Sequence, residues 1–282
     1  MHLLQKTIDN VFIEIGNLEI YWYAILILSG ALLAYFLALR EGKRIGVDGS
    51  FLETLVLFGI PIAIVGARIY YVIFEWDHFR YNLSSIFNIR GGGLAIYGAI
   101  IAGLIWAFWL TRRYNVDLLR VIDLAAVGFL LAQAIGRWGN FMNQEAYGGV
   151  VSRDFLERLL IPKFVIDQMY IDGNYHHPTF LYESVWNTLG FGLMLGLRRT
   201  KKLYVGDLGL VYLMWYGLGR AYIEGMRTDS LYLGSIRISQ LLSILMVIGG
   251  AVVFILRHVK KWRPQYYYEL LEENGADPKE IL

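Results

Sequence analysis

Apolar positions in this chain gather into seven runs, at roughly 20–39, 51–74, 92–110, 121–142, 178–197, 206–225 and 238–256, separated by polar connections that are mostly short. A stretch of about 20 apolar residues, rising 1.5 Å per residue as a helix, matches the thickness of a hydrocarbon core. The pattern predicts an all-α, polytopic membrane protein with seven transmembrane helices. With short linkers, no internal repeat and no second soluble domain in view, residues 1–282 are expected to form a single membrane domain, one compact bundle. The first run is too long for a cleaved signal peptide and ends in "REGKR" at 40–44, a stop-transfer pattern, so it is expected to stay as a helix.

Only the connection 143–177 is long. Within it "SRDFLERLL" reads as a short amphipathic helix and "IPKFVIDQMYIDGNYHHP" as irregular or strand-like, a small head segment between the fourth and fifth helices. Residues 264–282 read as a polar, loose tail. Basic residues set the orientation. The connections 40–50, 111–120 and 198–205 and the segment 257–263 hold 14 Lys or Arg, whereas the amino terminus with 75–91, 143–177 and 226–237 holds 8 despite its greater length. The positive-inside rule then places the amino terminus and the head segment outside and the tail in the cytoplasm.

Composition sharpens this picture at two points. A chain of 282 residues that is 56% hydrophobic and carries 30 glycines departs from the makeup of a soluble domain, and its net charge of +2 says little about partners because charge placement matters more than the sum. The absence of cysteine excludes disulfides, thiolate metal sites and a cysteine nucleophile of the protein's own.

Ionisable side chains inside spanning helices are costly and face the bundle interior or a wet cavity. Here they are lopsided. Arg68, Arg137 and Arg220 fall five to seven residues before the outer ends of their runs, roughly 8–10 Å below the outer surface. Tyr97 lies at a similar depth in the third helix, His177 and Glu183 open the fifth, and Glu224 closes the sixth. A transporter would place its key groups near the midplane, at broken helices; this depth is where an enzyme meets a phospholipid headgroup. Tyr216, Arg220 and Glu224 are spaced i, i+4, i+8 and share one helix face, so Glu224 can orient Arg220, and Asn140 lies three residues beyond Arg137 on its face. Two arginines on separate helices make a phosphate clamp, since planar guanidinium groups match phosphate oxygens in bidentate fashion. Blander readings stand beside these. Arg68 is expected to form a structural pair with Glu75, the glycines of "RGGGLAIYGAIIAG" suit small-residue helix packing as well as a site, and His177 before Pro178 suits a helix start.

The stretch "GRWGNFMNQEAYG" at 136–148 resembles the signature of the bacterial prolipoprotein diacylglyceryl transferases, Gly-Arg-x-Gly-Asn-Phe-x-Asn-x-Glu-x-x-Gly, with all eight fixed positions of thirteen present. "YWYA", "GARIYYVIFEW", "GGGLAIYGAIIAG", "HPTFLYE" and "YGLGRAYIEGMRTD" agree in order, so the resemblance covers nearly the whole chain, and the family's seven helices with the amino terminus outside agree with the count above. It implies transfer of the diacylglyceryl group from phosphatidylglycerol to the thiol of the lipobox cysteine in a prolipoprotein signal peptide, giving a thioether and glycerol 1-phosphate. The setting would be the bacterial cytoplasmic membrane, with the active site facing the outer leaflet. No metal, no organic cofactor and no nucleic acid partner is implied.

Carried over from the family's motifs, Arg137 and Arg220 would bind the phosphate, Asn140, Asn143, Glu145 and Gly148 would hold the headgroup or orient Arg137, Glu224 would support Arg220, and Tyr23 would line the same cavity. One position departs from the family. Many members carry in the third-helix glycine motif a histidine proposed as the base, and Tyr97 stands there in this chain. Tyrosine, with a pKa near 10, is the poorer base at neutral pH, which leaves Tyr97, His177, Tyr216 or the phosphate itself as the destination of the thiol proton. Two other classes stay open on the residues alone: a non-catalytic phospholipid or signal-peptide binding or transport protein, and another acyl or phosphoryl transferase acting on lipid.

Overall fold

The structure is a computed structural model and describes residues 8–277 apart from 17, 90–91, 229–231 and 235. Arg90 and Gly91 of the third-helix glycine motif, Asp229 of the sixth-helix motif, and the ends of the chain at 1–7 and 278–282 lie outside the described residues. In chain order the elements are β1 (Val11–Ile15), β2 (Leu18–Tyr21), α1 (Trp22–Arg44), α2 (Gly49–Phe74), α3 (Trp76–Phe79), α4 (Ile96–Tyr114), α5 (Leu118–Met142), β3 (Val150–Val151), α6 (Arg153–Arg158), α7 (Lys163–Gln168), β4 (Tyr170–Ile171), β5 (Asn174–His176), α8 (Thr179–Leu197), α9 (Asp207–Glu224), β6 (Tyr232–Leu233), β7 (Ile236–Arg237), α10 (Ile238–Lys260) and α11 (Tyr267–Glu273).

Each apolar run lies on one long helix: α1, α2, α4, α5, α8, α9 or α10. Among the described residues four of these, α1, α2, α5 and α10, are long and apolar enough to cross a membrane by length and composition. In the other three, polar groups dilute the run: Arg112 and Arg113 in the last turn of α4, Glu183 and Asn187 in α8, and Asp207, Arg220 and Glu224 in α9.

The all-α expectation needs amending. The protein is mainly helical, but short antiparallel strands pair as β1–β2, as the three-stranded order β3-β5-β4, and as β6–β7. At two to five residues each, these strands are too short for a two-residue period to stand out. In the head, Ser152 caps α6 by accepting a hydrogen bond from the Phe155 amide. The stretch read as strand-like also holds a helix, α7, whose Val165 and Ile166 are buried with Met169, four residues after Val165, on the same side. The tail is not loose in its first part. Leu270 and Leu271, three and four residues after Tyr267, give α11 an apolar face that is fully buried, and the chain hydrogen-bonds back from Tyr267 N to Leu203 O (2.9 Å) and from Val205 N to Gln265 O (3.0 Å).

The chain divides into two compact units, residues 1–38 with 122–282, and residues 39–121. In the second, α2 and α4 cross backbone to backbone at Gly66 and Gly98: a Cβ on Gly66 would lie 2.7 Å from the Gly98 carbonyl oxygen. Packing of small residues is thus the work of that third-helix glycine. Arg68 is structural, but Glu75 is not its partner. Its five N–H donors all go to carbonyls of the following loop, Nε to Ile86 (2.7 Å), Nη1 to Gly92 and Gly93, Nη2 to Ser85 and Asn88. A buried guanidinium is stable there because every donor is satisfied.

In the first unit a core of Phe141, Val165, Met169 and Phe180, with Trp138 and Tyr147 against it, joins the ends of α5 and α8 to the head. Helices α8 and α9 are pinned by a reciprocal pair: the Trp186 indole N–H donates to the Trp215 carbonyl (2.9 Å), the Trp215 indole to the Trp186 carbonyl (3.0 Å), and the rings stack at 4.4 Å. The start of α9 is held by Asp123, which accepts from the Gly206 and Gly209 amides (2.6 and 3.1 Å), and by Arg257, bonded to Asp207 (2.6 Å) and to the Val205 carbonyl (2.7 Å).

Candidate functional site

The last two turns of α5 present Arg137 and Asn140, the second turn of α8 presents Glu183, and the last two turns of α9 present Arg220 and Glu224. Glu183 joins them. One of its oxygens is ion-paired with Arg137 Nε (2.8 Å), the other accepts from Arg220 Nη1 (2.9 Å), and Arg227 Nη1 approaches the second oxygen at 3.9 Å. Arg220 Nη2 lies 2.6 Å from Glu224, fulfilling the i, i+4 pairing. Three guanidiniums against two carboxylates give this group a formal charge of +1. The Glu183 and Glu224 side chains are 5% and 2% exposed, so both carboxylates depend on these ion pairs to offset their desolvation.

The motif after Arg137 folds over this group. Arg137 Nη1 donates to Asn140 Oδ1 (3.2 Å), and Asn140 Nδ2 donates to Glu145 (2.8 Å), so the amide passes the carboxylate's influence to the guanidinium. The turn that brings Glu145 back uses a Glu145 amide bond to the Asn140 carbonyl and positive φ at Gln144 (50°) and Ala146 (58°). Gly148 then sits where three segments meet. Its amide donates to the His177 carbonyl (3.0 Å), its carbonyl accepts from the His176 ring (2.9 Å), and it forms a bridge with Arg227. A Cβ there would lie 2.7 Å from His177 Cβ and 3.0 Å from the Met226 carbonyl, so only glycine lets the head strand lie against the end of α9.

The remaining candidates lie at varied remove. Tyr23 packs on Gly139 of the motif, its Cδ2 2.6 Å from where a Cβ would stand. Tyr216 stacks on Tyr212 at 5.6 Å, and Tyr212 accepts from Gln133 (2.9 Å), one turn before Arg220. Asn143 hydrogen-bonds through its backbone to Gly139 O, and its buried Oδ1 meets no partner among the described residues. The His177 ring faces Tyr182 Oη (3.2 Å) and the Phe155 ring, and its burial lowers its pKa from the ordinary histidine value. Tyr97 belongs to the other unit, where its ring neighbours Tyr70 at 6.3 Å.

The family described as prolipoprotein diacylglyceryl transferase matches residues 10–256. The chain belongs to that family. It is 50% identical over 262 residues to the phosphatidylglycerol–prolipoprotein diacylglyceryl transferase of Bacillus cereus (strain Q1), covering 93% of this chain and 97% of that relative. It is 51% identical over 250 residues to the enzyme of the same description from Bacillus thuringiensis subsp. konkukian (strain 97-27), and 50% identical over 250 residues to that of Bacillus anthracis; each match covers 89% of this chain and 92% of the relative.

In this member of the transferase family, neither the bridging role of Glu183 nor the approach of Arg227 is assigned by the sequence motifs. Glu183 lies 46 residues from Arg137 and 37 from Arg220, so no local spacing shows the contact. Arg227 had a signal: Arg220, Glu224 and Arg227 fall at i, i+4 and i+7, one face carried past the helix end.

Proposed function

We propose that this chain transfers the diacylglyceryl group of phosphatidylglycerol to the thiol of a lipobox cysteine in a prolipoprotein signal peptide, releasing glycerol 1-phosphate. The carrying observation is the Arg137–Glu183–Arg220 bridge, at the motif that marks the family. Among the described residues Arg137 directs only its Nε and Nη1, and Arg220 only its two Nη atoms, to protein acceptors. Each guanidinium has five donors in all, so both keep donors to offer an anion while the carboxylates fix where they point.

The reaction explains why such a group suits. The cysteine sulfur forms a bond to the glycerol carbon, the bond from that carbon to the phosphate oxygen breaks, and its electron pair stays on the oxygen. A phosphodiester with one negative charge becomes a monoester with two. The cationic group stabilises that growing charge in the transition state more than in the bound lipid, which is the condition for raising kcat. The thiol proton leaves with the departing phosphate, whose second pKa is near 6, or to solvent. No protein base is required for the balance to close. Asn140 and Glu145 orient Arg137, Glu224 orients Arg220, and Tyr23, Tyr216, Asn143 and Gly148 shape the surrounding cavity.

All seven long helices cross the bacterial cell membrane in this reading, with the amino terminus outside and the arginines beneath the outer headgroups. The asymmetry of basic residues supports it. Incubating the purified chain with phosphatidylglycerol vesicles and a lipobox peptide, followed by mass spectrometry, tests the proposal. A gain of one diacylglyceryl group on the peptide, absent from a peptide with serine for the cysteine, is expected; lipid exchange without a covalent product would instead make the chain a binding protein.

A further inference from the structure

The head segment buries a small apolar core of Leu156, Val165, Ile166 and Met169, and its exposed large apolar side chains gather at one tip, with Val150 and Phe155 the others. Leu156 of α6 and Val165 and Ile166 of α7 are buried, whereas Leu159, Leu160 and Phe164 between and beside them are 49%, 89% and 52% exposed. Leu160 also has φ +55°, in the left-handed region. It closes α6 there, its amide bonded to Glu157 O and the next amide, of Ile161, to Leu156 O. Glycine is the usual residue at such a helix end, because a Cβ is unfavourable in that conformation. The fold therefore holds a leucine where glycine would be less strained and would show no apolar surface, and packing within the head gives no reason for it.

The charges around the tip are equally specific. Arg153 is bonded to Glu157 (2.7 Å), but Arg158 and Lys163, exposed on either side of the two leucines, have no hydrogen-bond or ion-pair partner among the described residues. Both ends of the head are the ends of long helices, Met142 of α5 and Thr179 of α8, so the tip is tethered close to the membrane surface. An exposed apolar pair flanked by unpaired cations is the pattern of a segment that sits in the interfacial layer, apolar groups among the acyl chains and cations on anionic headgroups. We propose that the Leu159–Leu160 tip is seated in the outer leaflet, with Arg158 and Lys163 on anionic phospholipid headgroups, tethering the head to the leaflet. This contact stands apart from the transfer chemistry and holds whether or not the arginine clamp does.

Because the chain has no cysteine, Leu160→Cys and, separately, Leu159→Cys can each carry a single environment-sensitive fluorophore on the full protein, with Asp172→Cys in the exposed β4–β5 turn as the aqueous reference. In vesicles of phosphatidylcholine and phosphatidylglycerol, lipids bearing a spin label near the ester end of the acyl chain should quench the tip positions several-fold more than Asp172, and aqueous iodide should rank them in reverse. Arg158→Glu with Lys163→Glu should lower the lipid quenching at the tip. Equal iodide quenching at the tip and at Asp172 would overturn the proposal. So would shielding that appears only when a lipobox peptide is added, which would assign the tip to the peptide.

Discussion

Glu183→Gln isolates what the central carboxylate contributes. The substitution keeps shape and removes one negative charge that two guanidiniums contact at 2.8 and 2.9 Å and a third approaches at 3.9 Å. Each close pair represents roughly 4 kcal/mol of gross attraction at an effective dielectric of about 20, largely offset by desolvation. Removing one partner of a buried pair costs about 3–5 kcal/mol of stability in total, visible as a lower unfolding midpoint in detergent. The variant's glutamine amide faces two guanidiniums that now repel, so Arg137 and Arg220 move apart. A displacement near 1 Å costs on the order of 10²-fold in rate, about 2.7 kcal/mol of transition-state stabilisation. The net charge of the group rises at the same time, so attraction for the phospholipid phosphate does not weaken. Steady-state transfer with phosphatidylglycerol varied should show kcat falling and KM unchanged or lower. A folded variant with unchanged kcat, or one whose loss lies wholly in KM, would refute the positioning role.

Gly148→Ala places a methyl 2.7 Å from His177 Cβ and 3.0 Å from the Met226 carbonyl; overpacking of this kind costs about 1–3 kcal/mol, and both the unfolding midpoint and transfer should fall, whereas unchanged values would mean the junction yields freely. His177, its pKa lowered by burial, binds a proton less readily when folded than unfolded, so its contribution is level above its ordinary value of about 6.5 and stability declines as pH falls below it; His177→Asn should flatten that part of the stability–pH curve, and an unaltered curve would remove His177 as the cause. Leu270→Ala should lower stability by about 2–5 kcal/mol, as for a fully buried leucine; no change in the unfolding midpoint would mean that α11 is not held against the 203–205 loop.

The long helices are legible in the sequence because a run of some 20 apolar residues is a strong signal, and Arg137 and Arg220 stand out because charge is rare within such runs. Their carboxylate partner was not legible, since Glu183 reaches them from a third helix and no period or motif encodes a contact across helices. Arg68 shows the same limit in reverse: its spacing to Glu75 suggested a pair, while its donors are taken up by five loop carbonyls, groups that every residue supplies and no sequence pattern marks. Strands of two to five residues and the six-residue α7 fall below the length at which periodicity speaks. The tail reads as loose because of its polar residues, although the spacing of Tyr267, Leu270 and Leu271 describes a buried helix face.

The central claim is that two arginines from different helices, held by one carboxylate, stabilise the departing phosphate. Its most direct test is the mass gain of a lipobox peptide incubated with phosphatidylglycerol and the Arg137→Ala or Arg220→Ala chain, each shown to be folded and membrane-inserted. The account predicts that either variant loses transfer by at least about 10²–10³-fold, the range for removing one donor from a developing anion; transfer at the parent rate in either one would contradict it.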